Sequence, residues 1–361
     1  DILVYGVLRP SSGRFWEVEP RFYVGDRITG ARAGEITGEE ELGRPIRYQP
    51  GNQSFERDVA DALRLRLDVL AQLINGLAYY DRGDARGYEQ ARQVFCSAAN
   101  SLGQTNDDSN GAELLYLFCG HANTHLAWQI SETASDEERA KSLLEEGVAA
   151  YQNGLEVNPQ HIRSRVSLGA ALTQIGSPNL GCENGDPGKL EAARKWLEDS
   201  RVDPEALSEG LRTGIYLSLG HIYFAKGWCY ESATQDLWAT AQDYYNRVLA
   251  IHQASVDPDH FTAATAHIYL GHLSALVGGL DQAIVDYEQA LDLLQQEGDE
   301  SAIKLATDTA PIILSVYCQA GQADSARERL DELVNGLPNP DDVRNDILSQ
   351  LNPQVKEACG L

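Results

Sequence analysis

With 361 residues, of which 23% are charged and 43% hydrophobic, the chain has the composition of a folded protein long enough for two domains or one repeat array. Its net charge of −25 and pI near 4.6 repel phosphate backbones and anionic membrane surfaces. Nucleic acid is therefore excluded as a partner and a basic protein or peptide is favoured, although most of this charge reads as a solvated acidic surface. No apolar run reaches the roughly 18–20 residues needed to cross a bilayer, so the visible chain makes no direct membrane insertion.

Residues 1–50 differ from everything after them. "ILVYGVL" and "RFWEVEPRFYVG" are rich in β-branched and aromatic residues, and turn clusters such as "RPSSG" and "TGARAG" flank them. This predicts two or three strands of a small β-rich element. A lone hairpin is marginal in water, so the element must pack on the first helices or belong to a larger domain. The abrupt opening "DILVYGVL" and the lack of any Met point to a mature or trimmed product, with this element as the tail of a truncated domain.

From about Phe55 the periodicity turns helical. Val59, Leu63, Leu67, Leu70 and Ile74 recur near i, i+4, i+8 and predict one apolar stripe on the first helix. Helical patterns separated by Gly, Pro and Asp/Asn loops then continue to the C-terminus. Self-comparison exposes a repeat. Its clearest copy, "AHIYLGHLSALVGGLDQAIVDYEQALDLL", carries Leu270-Gly271, Gly278, Ala283, Tyr287 and Ala290. Small residues at 271 and 283 let two antiparallel helices approach, Tyr287 fills the space between them, and Gly278 suits the turn.

This pattern resembles the tetratricopeptide repeat. The family marks are a Leu-Gly pair in helix A, a Gly near the turn, then Ala, an aromatic and Ala in helix B, closed by Pro. Five other copies carry them with interruptions: Gly76, Tyr79, Gly83, Ala91, Phe95 and Ala98; Gly120, Tyr151 and Pro159; Gly169, Gly176, Ala192, Trp196 and Pro204; Gly220, Tyr223, Gly227, Ala241 and Tyr245; and Tyr317, Gly321, Ala326, Leu330 and Pro338. Several turns between helix A and helix B are lengthened, and the last copy lacks its Leu-Gly pair. The resemblance implies a mostly α fold: an α-solenoid of about six helical hairpins over residues 51–340, behind the β-rich element at 1–50. Residues 341–361 supply a C-terminal capping helix through Val343, Ile347, Leu348 and Leu351.

The six cysteines contain no CxxC pair, which argues against a zinc site. "SPNLGCENGDP" and "WCYESATQD" are insertions at the same turn of adjacent copies, which places Cys182 and Cys229 to meet. The expected bridge would close a loop of roughly 46 residues and contribute on the order of 3–4 kcal/mol. Cys96 and Cys119 fall on helices that pack together, which permits a bridge, although a buried free cysteine is the more ordinary state there. Cys318 and Cys359 would tie the cap to the last repeat. Bridges of this kind imply an extracytoplasmic protein: secreted, periplasmic or on the cell surface.

Candidate chemistry is sparse. His121 and His125 stand at i, i+4 but without the Glu of HExxH. His221 and His272 each follow a repeat glycine, at equivalent packing or groove-lining positions. "TNDDSNGAE" offers Asp107, Asp108 and Asn110 but lacks a closing Glu, so it reads as a turn and N-cap. "NQS" at Asn52 matches a glycosylation acceptor. No nucleophile elbow, phosphate loop or dinucleotide fingerprint is present. The reading therefore assigns no catalytic residue, no metal and no cofactor. The resemblance implies a concave helix A face, on which Asn75, Tyr79, Asn123, Tyr223, His221 and His272 are the binding candidates. The expected function is a non-enzymatic interaction scaffold or assembly module. A structural subunit of a surface assembly, with self-assembly, and a ligand-sensing module are the alternatives.

Overall fold

The computed structural model describes residues 2–11, 15–24, 38–49, 55–102, 111–130, 134–177, 185–199, 203–230, 235–298, 300–335, 337 and 339–361. Cys182, Asn52, Asp107, Asp108, Asn110 and Pro338 lie outside the described residues. With them lie the expected Cys182–Cys229 bridge, the glycosylation acceptor and the Asp-rich turn.

The N-terminal element is a sheet of four antiparallel strands, where two or three were expected: β1 (Ile2–Pro10), β2 (Trp16–Val24), β3 (Gly38–Glu41) and β4 (Ile46–Tyr48). β2 is central. β1 runs along one side of it with Gly6 opposite Pro20, and β3 and β4 share the other side. Phe22, Val24 and Leu42 are buried. The buried Arg66 holds the element to the first helix. Its guanidinium donates to the carbonyls of Leu42 at 2.8 Å and Arg44 at 2.6 Å, and to Ala62 of its own helix at 2.8 Å. Burying that charge without such acceptors would cost several kcal/mol.

The helices that follow pair as hairpins: α1 (Phe55–Tyr80) with α2 (Ala85–Leu102), α3 (Ala112–Ile130) with α4 (Ala134–Val157), and α5 (Ile162–Gly176) with α6 (Pro187–Leu197). Three more pairs are α7 (Glu209–Ala225) with α8 (Gln235–Ala254), α9 (His260–Leu276) with α10 (Leu280–Glu297), and α11 (Glu300–Gln319) with α12 (Ala323–Val334). Packing divides the chain into two compact units, residues 1–211 and 212–361. The expected single capping helix is two: α13 (Pro340–Gln350) and α14 (Pro353–Cys359). Pro353 lacks the N–H an unbroken helix would need there, and Asn352 caps the new start by accepting from the Gln354 amide at 2.9 Å.

One contact sets the spacing of the hairpins. In helix A of each of the first five, a glycine faces a large side chain of helix B. A Cβ on Gly271 would stand 2.6 Å from Cε1 of Tyr287, and one on Gly220 would stand 2.5 Å from Cε1 of Tyr245. Gly76 meets Phe95 and Gly120 meets Tyr151 more tightly still. Only a missing side chain lets the helix backbones close around the ring. In the sixth hairpin the equivalent positions are Leu314 and Leu330, both buried in the core of that unit. Gly83, Gly278 and Gly321 take positive φ of 67°, 81° and 75° at three of the turns, where a glycine carries no Cβ penalty.

Two sequence readings are corrected. On α1 the expected stripe is not the buried face: Leu63, Leu67 and Ile74 are exposed, and only Leu70 of those described is buried. The core face instead runs through Arg66, Val69, Leu70, Leu73, Leu77 and Tyr80. α1 is the first helix of the array, so apolar residues occur on the side where an interior helix would meet a preceding hairpin. In the third hairpin the register is one residue later than Ala192 and Trp196. Ala193 and Leu197 are buried, and Leu197 Cδ2 is the group that a Cβ on Gly169 would meet at 2.6 Å. Trp196 is turned aside, with the Arg165 guanidinium 5.3 Å from its ring centre.

Cys96 and Cys119 are bridged rather than free, with Cα atoms 4.9 Å apart, and join α2 to α3. Cys318 and Cys359 are bridged at 5.5 Å and join α11 to α14. No cysteine among the described residues is free.

Replacing Gly271 with Ala is expected to destabilise the protein by about 1–3 kcal/mol, despite the ~1 kcal/mol that alanine gains over glycine inside a helix. In Gly271→Ala/Tyr287→Leu the added methyl has room, so urea denaturation of both single variants and the double variant should give a coupling energy of at least about 1 kcal/mol. Additive effects would dissociate the glycine from the ring.

Candidate functional site

Three of the residues that follow the helix A glycines, His121, His221 and His272, belong to the packing between rings. His121, His221 and His272 each lie against the helix B tyrosine of their own hairpin, with ring centres 5.7, 5.8 and 5.6 Å from Tyr151, Tyr245 and Tyr287. His272 Nδ1 and the Tyr287 hydroxyl are hydrogen-bonded at 2.7 Å. His121 Nε2 pairs with the Ser167 hydroxyl of α5 at 3.0 Å. His125 is buried between Tyr88, stacked at 5.2 Å, and Tyr80, edge-on at 5.5 Å. The i, i+4 histidine pair is thus part of an aromatic core. Among the described residues no three His, Cys, Asp or Glu side chains gather as a metal site.

The six expected binding residues fall into different environments. Asn75 is exposed and Tyr79 half-buried on α1. Asn123 is buried: its amide donates to the Cys119 carbonyl at 2.9 Å and lies 3.6 and 3.7 Å from the sulfurs of Cys96 and Cys119. It therefore packs the bridge and presents nothing to solvent. His221 and His272 are brought together from successive A helices around one ring, with His221 4.1 Å and His272 5.5 Å from the centre of Tyr269. Tyr223 is not part of that group. It is half-buried and stacks on Tyr244 of α8 at 5.8 Å.

Tyr244 and Arg247 were not singled out by sequence. Tyr244 also lies 6.0 Å from Tyr216, and the exposed Arg247 guanidinium stands 5.5 Å from both the Tyr216 and Tyr244 ring centres. The signal was the i, i+3 spacing of Tyr244 and Arg247 on the helix after Tyr223. Tyr245, next in sequence, is the ring that faces Gly220, so the pair Tyr244-Tyr245 supplies one inward and one outward aromatic. Tyrosine and arginine are the residue types that dominate protein interfaces, and a stacked, preordered set lowers the entropy lost on binding.

Burial controls the electrostatics of the inner group. It holds the His221 pKa down at about 3, helped by nearby His272, and that of His272 at about 4, while it pushes the Tyr269 hydroxyl up to about 12. His161, at the start of α5, is lowered to about 3 by burial and by the charges of Arg163 and His121. All these rings are uncharged at neutral pH. They supply shape and contact area, and no acid–base pair is poised near pH 7 in this group.

Helical hairpins held at a glycine–ring contact and stacked through their A helices define an α-solenoid repeat protein. Residues 215–296, within the fourth and fifth hairpins, match the Tetratricopeptide repeat family. No curated protein matches the sequence. Among solved structures, BtubC (BKLC) from P. vanneervenii is 18% identical, over 63% of this chain and 85% of its own, with a TM-score of 0.37. A thermophilic TPR protein of Thermus thermophilus is 19% identical, over 64% of this chain and 97% of its own, with a TM-score of 0.35. At those scores neither likeness bears on function.

The lowered histidines fix a pH dependence. In the unfolded chain each takes up a proton near pH 6.5, whereas in the fold it does so only near 3 to 4. The unfolded state therefore binds more protons between these values, and stability falls as pH drops from about 6.5 toward 4. The loss at pH 5 is expected to be up to about 2 kcal/mol per histidine. Urea midpoints at pH 7 and pH 5 measure it, and His272→Phe should narrow the gap. An unchanged midpoint would mean that these rings are solvated.

Proposed function

We propose that this protein is a non-enzymatic interaction scaffold that holds a protein or peptide on its helical hairpins. The observation that carries this reading is the division of the fourth and fifth hairpins between an uncharged inner packing group, around Tyr269, and an outward Tyr223–Tyr244–Arg247 stack. The titratable rings of the inner group are spent on packing, while the outward stack has the chemistry of an interface anchor. A net charge of −25 favours a basic partner and would speed its encounter at low salt.

We further propose that it works outside the reducing cytosol. Two bridges, Cys96–Cys119 and Cys318–Cys359, join α2 to α3 and α11 to α14. They close loops of 23 and 41 residues, which corresponds to roughly 3–4 kcal/mol each in the chain-entropy model. Such bonds persist in secreted, periplasmic or surface proteins and are reduced in an ordinary cytosol.

The partner is to be isolated by affinity capture on the full chain, identified by mass spectrometry, and titrated by calorimetry against wild type, Tyr223→Ala and Arg247→Ala. Each substitution is expected to weaken binding by about 5- to 30-fold, or roughly 1–2 kcal/mol, without lowering the thermal midpoint by more than a few degrees. Affinity unmoved by both would remove the stack from the interface. Mass spectrometry of freshly isolated protein alkylated without reductant should leave Cys96, Cys119, Cys318 and Cys359 unmodified. Their alkylation would overturn the extracytoplasmic reading.

A further inference from the structure

Fourteen large apolar side chains are exposed among the described residues, and nine of them lie between residues 3 and 74. Three of the nine sit on β1: Leu3 at 60%, Val4 at 46% and Leu8 at 53% exposure. The composition of this strand contradicts its position. From Ile2 to Leu8 every residue but Gly6 is aliphatic or, at Tyr5, aromatic, close to the pattern of a strand covered on both faces and flanked on both sides. Yet β1 is an edge strand. It pairs only with β2, and its outer edge carries no strand among the described residues. Its even-numbered residues share a face with the buried side of β2, since Val4 is opposite Phe22 and Leu8 opposite Val18. Phe22 is fully buried while Val4 and Leu8 are not, so the apolar face continues past the packing that covers β2. Native proteins blunt such edges with charge, proline or bulges. Here the one charged residue, Arg9, and the one proline, Pro10, come only at the end.

We propose that β1 pairs antiparallel with β1 of a second copy, forming one continuous sheet across a two-fold axis. The charge pattern selects this occupant. In a chain with 54 acidic residues, residues 2–10 hold none, and the carboxylates that reach the strand are engaged within the sheet, Glu39 by the Tyr5 hydroxyl and Glu19 by the Arg9 guanidinium at 3.3 Å, so the free edge itself carries no acid to oppose a second copy's. The strand also complements itself. The register that overlaps both nine-residue strands fully is centred on Gly6. It places Val4 opposite the partner's Leu8 and Tyr5 opposite the partner's Val7, and it sets Arg9 beside the partner's Leu3, where its stem can lie on apolar surface. The two Arg9 side chains fall at opposite ends of the pairing and do not face each other. An isologous contact of this kind closes at two copies and leaves no further edge on that side.

The test is sedimentation velocity on the full chain over a range of concentrations. The expected result is a reversible monomer–dimer equilibrium, moved toward monomer by at least about tenfold in Kd in Val4→Lys/Leu8→Lys, with the same far-ultraviolet circular dichroism. Val277→Lys, an exposed apolar position outside the first 74 residues, should leave the equilibrium unchanged. Gly6→Cys is a second probe, because its Cβ would meet nothing closer than Val18 Cγ1 at 3.5 Å and the substitution fits the fold. Mild oxidation should link two copies through residue 6. A wild-type chain that stays monomeric up to about 100 μM, a dimer indifferent to the lysine substitutions, or no cross-link at residue 6 would each overturn the proposal.

Discussion

The fold depends on one close contact: a glycine in the first helix of a hairpin, lying against the ring, or in one case the leucine, of the second. It constrains three things at once. The glycine sets how near the two backbones come, the ring fixes their register, and in the second and fourth hairpins the histidine after the glycine is thereby aimed at the next hairpin. His121 meets Ser167 of α5 and His221 meets Tyr269 of α9 because each follows such a glycine. A methyl group at the glycine would force the helices apart, and a smaller group at the ring would leave a void, so neither partner can change alone without cost. Shape complementarity of this sort is local, and repetition is what turns it into an array.

The polar interior follows the same geometry. Histidines that close packing deprives of water stay neutral, and most find a hydroxyl or another ring. The buried Asn123 amide spans the Cys96–Cys119 bridge, and the buried Arg66 spends its guanidinium on three carbonyls that fasten the sheet to α1. These groups hold the structure in place. What remains outward on the fourth hairpin is a tyrosine–arginine stack, and on β1 an apolar edge. The interior groups are thus taken up by packing, and the outward stack and the β1 edge are the surfaces on which the proposed contacts rest.

Much of this was legible in the residues, in proportion to how local the information was. Gly271, Gly278 and Tyr287 could be placed because their hairpin has no insertion and the spacing between glycine and ring is undisturbed. In the third hairpin the long turn between Gly176 and Pro187 detaches helix B from helix A, and the register slipped by one, from Leu197 to Trp196. The same limit misassigned α1. Leu63, Leu67 and Ile74 satisfy a helical period as well as Val69, Leu73 and Leu77 do, and periodicity does not say which of two apolar faces has a neighbour. Asn123 looks like a ligand contact in the sequence because its position on helix A is visible there, whereas the disulfide it packs against is a relation between two separate helices.

The sequence by itself determined the repeat, the class of fold, the acidic surface and the existence of a distinct β-rich beginning. Each of these is written in composition or in spacings shorter than a hairpin, where covalent proximity does the selecting. Tertiary structure alone decided which cysteines bridge, which histidines lose their water, which side of α1 is covered, and that β1 lies at an edge. Those outcomes depend on contacts between segments far apart in the chain, and burial, which sets both the charge state of a histidine and the availability of a tyrosine, is a property of neighbours that no single segment encodes.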